Sequence, residues 1–534
     1  MSSGESPPPA QTSVPPVAAL SPVDNPRTAQ AVLLATILAS AMVFIDGAVV
    51  NLALPSLQAE FDAQFAGLQW VVESYLVALT ALVMIGGALG DRFGRRRMFA
   101  VGTAVFALAS LLCGLAPTLD VLLVARILQG VGGALLVPGS LAIITSCFEP
   151  GRRGKAIGTW SAFSAIATAA APMIGGAMVE AGGWRWIFFI NLPPAALVLW
   201  LALRMIPESR DASAGARLDW PGAVLAALGL GLLVFGLVEG GRLGFDHVLA
   251  WPPITLGTVF LIAFVGVEGR SPAPMMPLDL FRHRAFAATC GMTVLLYGGM
   301  SGILFFLPLH LMQVVDYSPT MAGFSLLPFA LLIGALSRHA GGLVDRYGVR
   351  LPLTVGPIVA GLGVLALAVP GTTGSYWTTF LPGIAILGVG MGLSVAPLTT
   401  AVMNAAPPAK SGLASGISNA LSRLGTMLAV AILGAIAVTT FAPALADQLD
   451  GLGLDAPGLM AILGADVLKL AGLTPPGSLA PVDATLFDQA VDAAALDAFR
   501  AVCLVGAAMC LAAGLVSAIA LGPKGTNRYH SGVA

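Results

Sequence analysis

Long apolar runs alternate with short basic, glycine-rich or polar turns along nearly the whole chain. Runs close to 20 residues long, the length an α-helix needs to cross a bilayer's hydrocarbon core, fall at 31–50, 68–90, 98–116, 119–144, 156–179, 186–206, 221–238, 249–267, 285–312, 319–344, 351–370, 376–400, 413–441 and 499–521. The pattern predicts an all-α integral membrane protein with about fourteen transmembrane helices. Lys and Arg fall on alternate turns, at Arg92, Arg95, Arg96 and Arg97, then Arg152, Arg153 and Lys155, and on to Lys524 and Arg528, while the opposite turns hold few, such as Arg185, Arg242 and Lys469. The positive-inside bias predicts a multi-pass protein of the cell membrane with both termini cytoplasmic.

Composition agrees: 57% of residues are hydrophobic and 10% charged, against roughly 25% charged in a soluble domain. The net charge of −1 carries little information, because acids and bases are segregated by side. Residues 1–30, rich in Pro, Ser and Ala, read as a disordered cytoplasmic tail without a cleaved signal peptide, and 523–534 as a second cytoplasmic tail. Residues 442–496 carry Asp447, Asp450, Asp455, Asp466, Asp483, Asp488 and Asp492 with apolar residues between and read as an extracytoplasmic loop, either solubilising, the preferred reading, or folded into short amphipathic helices over the outer mouth. Cys113, Cys147, Cys290, Cys503 and Cys510 form no Cys-x-x-Cys pair and read as inert thiols. The five histidines lack ligand spacing, so no metal is expected; only His310 is placed to touch a substrate. Nothing points to nucleic acid.

One segment repeats. Gly87-Ala-Leu-Gly-Asp91-Arg92-Phe-Gly94-Arg95-Arg returns as Gly341-Gly-Leu-Val-Asp345-Arg346-Tyr-Gly-Val-Arg. The copies follow the second and tenth apolar runs, whereas doubling a six-helix unit would place the second copy after the eighth. Residues 31–210 and 271–522 therefore read as two six-helix bundles, and 211–270 as two inserted helices. Parallel six-helix repeats are what transporters use to build a site between two rocking halves. The glycines permit a tight turn, and the arginines serve topology in any case.

Four ionisable residues stand inside apolar runs. Asp46 is the only formal charge in 41–58, where a charge costs at least ~2.5–3.5 kcal/mol on insertion scales. Glu73 and Arg126 fall at like depth in the second and fourth runs, so the three are expected to share a cleft. There attraction to Arg126 favours an ionised carboxylate and burial favours a protonated one. Asp46 is expected to take the proton, or to be a satisfied polar residue bonded to Asn51 or the backbone; Arg126 to tune it, or to form a structural ion pair; and Glu73 to draw the positive charge of a substrate, or merely to reach headgroups. Arg423, near the middle of the thirteenth run, either faces a central cavity or bonds to carbonyls of its own half. The glycine clusters 130–133, 388–392 and 412–416 lie in apolar helices without a phosphate-loop Lys, so they read as packing faces.

The run from Asp46 to Pro55, the Gly90-Asp91-Arg92 turn, Arg126-Ile-Leu-Gln-Gly, Trp184-Arg-Trp-Ile-Phe-Phe-Ile-Asn-Leu-Pro and Tyr317-Ser-Pro-Thr-Met-Ala-Gly occur in one order. In this the chain resembles the fourteen-helix drug:proton antiporter branch of the major facilitator superfamily. The resemblance implies a non-enzymatic secondary transporter without cofactors, driven by the proton gradient. Its cargo would be amphiphilic, cationic drugs or dyes, its setting the lipid bilayer, and its working form a monomer. It also implies that Gly87, Asp91, Arg92, Gly94, Arg95, Asp345 and Arg346 gate the conformational cycle, and that Pro172, Gly175 and Gly176 are the antiport element of helix 5. That element departs at one place, with Ala171 where the group carries Gly. An exporter dedicated to one metabolite, antibiotic or lipid would share these motifs, whereas a membrane enzyme would need a cluster of His, Asp or Ser at one depth.

Overall fold

Inside a bilayer the backbone finds no water to bond, so each apolar run satisfies its own N–H and C=O groups as a helix. A computed structural model describes residues 25–210, 219–271, 274, 276–371, 375–405, 411–477 and 479–521. It is helical, with no strand among the described residues. The crossing helices are α1 (Pro26–Phe61), α2 (Phe65–Phe93), α3 (Arg95–Gly114), α4 (Leu119–Cys147), α5 (Pro150–Gly182), α6 (Trp186–Met205), α7 (Trp220–Leu243) and α8 (Trp251–Glu268). They continue with α9 (Arg284–Gln313), α10 in two parts (Pro319–Ser325 and Leu327–Tyr347), α11 (Arg350–Leu367), α12 (Leu381–Asn404), α13 (Ser411–Gly451) and α14 (Pro481–Ala520). Thirteen of them are long and apolar enough to span a membrane, and α5 contributes the shorter apolar stretch Ile166–Gly182.

The helices pack as a repeated unit. In the first half α2 and α3 pack on α4, α1 on α5 and α6, and α3 on α6. In the second half α10 and α11 pack on α12, α9 on α13 and α14, and α11 on α14. Adding eight to each helix number of the first set gives the second. The two inserted helices explain the offset. α7 packs on α8 and fills the groove between α2 and α13, whereas α8 is mostly exposed, with only Gly257 and Glu268 buried. Two seams join the halves, α2 against α13 and α5 against α10.

The turn at Asp91 and the segment between α13 and α14 lie at opposite ends of the bundles, here named the motif side and the cap side. The latter segment departs from the expected solubilising loop. α13 runs on to Gly451, a helix follows at Ala456–Leu463 and a 3-10 turn at Gly464–Gly472, and α14 already begins at Pro481. Leu459, Leu463, Val467 and Leu470 are buried in the core shared by both halves. The chain bends at Gly464 and again at Leu470, and these apolar side chains are buried from both pieces, which is how a segment rich in aspartate folds onto the protein as a cap.

Candidate functional site

In the first half, α1, α3, α4 and α6 each send one or two polar side chains to a common point. Asp46 on α1, 1% exposed, meets the fully buried Arg126 of α4 at 2.5 Å. Gln129, one turn beyond Arg126, donates to the second Asp46 oxygen at 2.7 Å and to Ser110 of α3 at 3.0 Å. Asn191, at the start of α6, donates to Asp46 at 3.3 Å and to Ser110 at 2.9 Å. Arg126 also donates to the Val71 carbonyl at 3.0 Å and to Gln129 at 2.7 Å, and its guanidinium lies 4.4 Å from the Tyr75 ring centre. One of its nitrogens, Nη2, has no partner. Both Asp46 oxygens accept from strong donors, and the pair is held together because breaking it from one side leaves an unpaired buried charge.

Glu73 is not part of this network. Val71 and Tyr75 face Arg126, and Glu73 lies between them in sequence, so it points the opposite way around α2. Ala66, Trp70 and Val77 share its face and pack with Leu230 and Val234 of α7 and Met427 and Ala431 of α13. Gln69, one turn away, donates to the Val430 carbonyl of α13 at 3.0 Å. Glu73 is completely buried in this seam and neither carboxyl oxygen has a hydrogen-bond partner. A carboxyl buried without a partner is costly, so Glu73 is the unanswered polar group of this seam. Arg423, seven residues before Val430, shares its face of α13, is partly exposed, and has no ion pair among the described residues.

Among the described residues, the contacts of the basic turn come from its own half. Arg95 holds Asp91 at 2.9 Å within the turn. The Arg95 N–H donates to the Ser209 carbonyl at 2.9 Å, and the Arg96 N–H donates to Glu208 at 3.1 Å. Glu208, after α6, belongs to the same bundle, and it completes a site that the motif alone did not reveal. Gly94 takes φ +113°, and a Cβ there would sit 2.7 Å from a Glu208 oxygen, so only glycine fits the turn. Gly87 lies along α2 opposite Pro138. Arg92 lies over the Phe93 ring and Arg346 over Tyr347, both at 5.3 Å, so the repeat keeps the same stacked pair in both copies. The Asp345 side chain lies outside the described residues.

The helix-5 element forms the second seam. Gly175 sits against Val49 of α1, and a Cβ there would come within 2.7 Å. A Cβ on Gly176 would meet the Pro319 carbonyl, and one on Gly323 would meet the Pro172 carbonyl. α5 and the first part of α10 thus touch backbone to backbone, on the cap side.

Further cap-side contacts cross between the halves. Gln58, at the end of α1, donates to the Lys469 carbonyl at 2.9 Å and accepts from Gln313 of α9 at 2.8 Å. Lys469 pairs with Asp62 at 2.6 Å. Beneath the cap, Phe65, Phe306, His310 and Phe499 line a cavity of about 40 Å³, with His310 stacked on Phe499 at 4.4 Å. A second cavity, about 60 Å³, opens toward the motif side among Tyr297, Thr399, Ser418, Asn419 and Ser422. The hydrogen bond to Asp62, then that to Asp466, hold the Lys469 ammonium above its usual pKa. Such a raised group contributes stability below the unfolded lysine value of ~10.4 and loses it only as pH rises through the still higher folded value. Cap closure is therefore expected to be flat between about pH 6 and 9. Asp62 is largely exposed, so Lys469→Met should cost no more than ~1 kcal/mol. Gln58→Leu strips partners from two cap-side groups and should cost ~1–3 kcal/mol. Hydrogen exchange of residues 464–472 measures both; a larger effect from Lys469→Met would reverse this ranking.

Comparison with known proteins gives a consistent picture. A family model described as Major Facilitator Superfamily matches residues 36–430. The chain is 36% identical over 425 residues to "Multidrug resistance protein Stp" of Mycobacterium tuberculosis, covering 79% of each protein. It is 30% identical over 449 residues to the "Tetracenomycin C resistance and export protein" of Streptomyces glaucescens, covering 84% of this chain and 83% of that protein. Among solved structures, a bacterial homologue of the human lysosomal transporter Spinster superposes with a TM-score of 0.60 at 18% identity, covering 92% of this chain and 98% of that one.

Proposed function

The chain belongs to the Major Facilitator Superfamily, and from that premise we propose that it is a proton-coupled secondary transporter exporting amphiphilic drugs from the cell. The names of its relatives support drug efflux. The observation that carries proton coupling is Glu73, a carboxyl deep in a seam between the two halves with both oxygens unbonded. A group that is stable there only with its proton on is a proton carrier whose load depends on how the halves meet. Asp46, saturated by Arg126 and Gln129, acts instead as the fixed charge that locks α1 to α4. On this reading Glu73 takes the proton role that sequence position suggests for Asp46, and Asp46 takes a structural one.

The contacts that close the cap side, Gln58 to the cap and α5 to α10, support a state closed on that side. With the motif side cytoplasmic, as its arginines favour, the hydroxyl-lined cavity at Tyr297 and Ser422 faces the compartment from which drug is taken. Alternation then needs the two seams to loosen on the cap side while the bundles stay intact.

Everted membrane vesicles energised by a respiratory substrate should accumulate an amphiphilic dye, and an uncoupler should release it. Accumulation that persists with the proton gradient collapsed and ATP supplied would overturn the proposal. Including neutral and cationic substrates of similar size in the same vesicles tests whether positive charge is preferred.

A further inference from the structure

The seam between α2 and α13 contains an unpartnered carboxyl from one half and an unpaired guanidinium from the other. α2 descends from the cap side while α13 ascends toward it, so the helices are antiparallel. Gln69 touches Val430 and the backbone at Gly434, which fixes their register. On α13, Arg423, Met427, Val430 and Gly434 follow one another at four, three and four residues and form one stripe. On α2 the facing stripe is Ala66, Gln69, Trp70, Glu73 and Val77. Counted from the Gln69 contact, Glu73 and Arg423 are offset along the seam by about five residues, or ~7 Å of helix rise.

Among the described residues no other ionisable side chain of the seam pairs with either group. From α7 the facing side chains are Leu230, Val234 and Phe235, the last against Trp70 at 6.1 Å. Glu239 and Arg242, near the cap-side end of α7, are paired with each other at 2.6 Å. From α13 come Met427, Val430 and Ala431. Arg126 and Tyr75 lie on the other face of α2 and are engaged with Asp46 and with the Val43 carbonyl. Glu73 is fully buried, with α7 covering the groove, whereas Arg423 is partly exposed and adjoins Ser422 of the motif-side cavity.

We propose that Glu73 and Arg423 form an ion pair between the two halves in the alternate state, when the bundles rock and α2 slides by about one turn along α13. Resting on the reading of Glu73 as proton carrier, this names its partner. One-turn displacements of about 5.4 Å are a known scale for packed helices changing register. In the state described here the two are apart and Glu73 keeps its proton. As they meet, the guanidinium stabilises the carboxylate and the proton leaves to water; as they part, the carboxyl takes a proton back before it is isolated again. Protons and conformations are thereby linked by one contact, the partly exposed Arg423 end giving the proton its way to water while α7 covers Glu73 from the lipid.

A double-mutant cycle in the full-length protein tests the pair. Glu73→Gln and Arg423→Gln should each reduce proton-driven dye efflux about ten-fold or more, and the double variant should be no worse than the weaker single, as for two members of one unit. The charge exchange, Glu73→Arg with Arg423→Glu, should recover about ten-fold over either reversal alone. Losses that multiply in the double Gln variant, or full efflux by Arg423→Gln, would overturn the pairing. The glutamine variants insert no unpaired charge, so they keep the test valid if the reversals do not fold. Energy-independent counterflow by the wild-type protein tests the transporter reading separately: present counterflow with multiplicative losses removes the pair and leaves the transporter, and absent counterflow removes both.

Discussion

Replacing Asp46 by Ala is expected to destabilise the protein by about 3–5 kcal/mol, the cost of leaving a buried charge without its partner, and to abolish efflux. Arg126 has no surface to retreat to: it is fully buried, one of its nitrogens is already unbonded, and its remaining partners are a carbonyl, Gln129 and the Tyr75 ring. Asp46→Asn keeps an oxygen for Arg126 or Gln129 but loses the charge, so it should fall between wild type and Ala. From sequence, removing the charge relieves an insertion cost and the folded amount should hold. The structure reverses that expectation, because the cost is already compensated within the pair. Asp46→Leu with Arg126→Met removes both charges and should be markedly more stable than Asp46→Ala, since an apolar replacement of a whole buried pair is often neutral. Thermal unfolding in detergent ranks these variants against wild type. Equal melting of Asp46→Ala and wild type would show that the pair does not anchor α1 to α4.

Much of this is legible in the chain and some is not, for identifiable physical reasons. Asp46 and Arg126 stand out because isolated charges in apolar runs are costly and need partners, and equal depth suffices to guess the pairing. Glu73 shares that depth, but depth ignores phase: at about 3.6 residues per turn, Val71 and Tyr75 face the arginine and Glu73 cannot. Gln129, Ser110 and Asn191 do not stand out, because uncharged polar residues carry little insertion cost. Gln129 is nonetheless readable, one turn from Arg126 on the same helix. The cap is half legible: its aspartates favour a solubilising loop, while the apolar residues between them, Leu459, Leu463, Val467 and Leu470 among them, allow short amphipathic helices. Glu208 has no local signal; only the fold brings it to the Asp91 turn. The two-helix offset between the halves, by contrast, follows from the position of the repeat alone.

The second large effect should come from the seam without charges. Gly176→Val places a side chain where a Cβ already meets the Pro319 carbonyl, and the facing Gly323 is equally tight against the Pro172 carbonyl. Backbone atoms on both helices have no rotamer to yield, so α5 and the first part of α10 must separate. Overpacking of this kind typically costs about 1–3 kcal/mol. Here the penalty falls on the cap-closed arrangement, because the contact joins the halves on that side only, while packing within each bundle is untouched. A difference of that size changes a conformational equilibrium roughly 5–150-fold. Ala437, buried on α13 beside the cap-side cavity, provides a reporter. In a protein whose five buried cysteines are replaced by serine, Ala437→Cys should react slowly with a membrane-impermeant maleimide. Adding Gly176→Val should speed that reaction by about an order of magnitude and slow efflux, since a cycle held open on one side cannot reload. The Gly323→Val variant attacks the same contact from the other helix and should give the same phenotype, with no further gain in the double variant, because one separation relieves both clashes. Slow efflux with unchanged labelling would mean that the seam transmits the cycle without setting which side is closed.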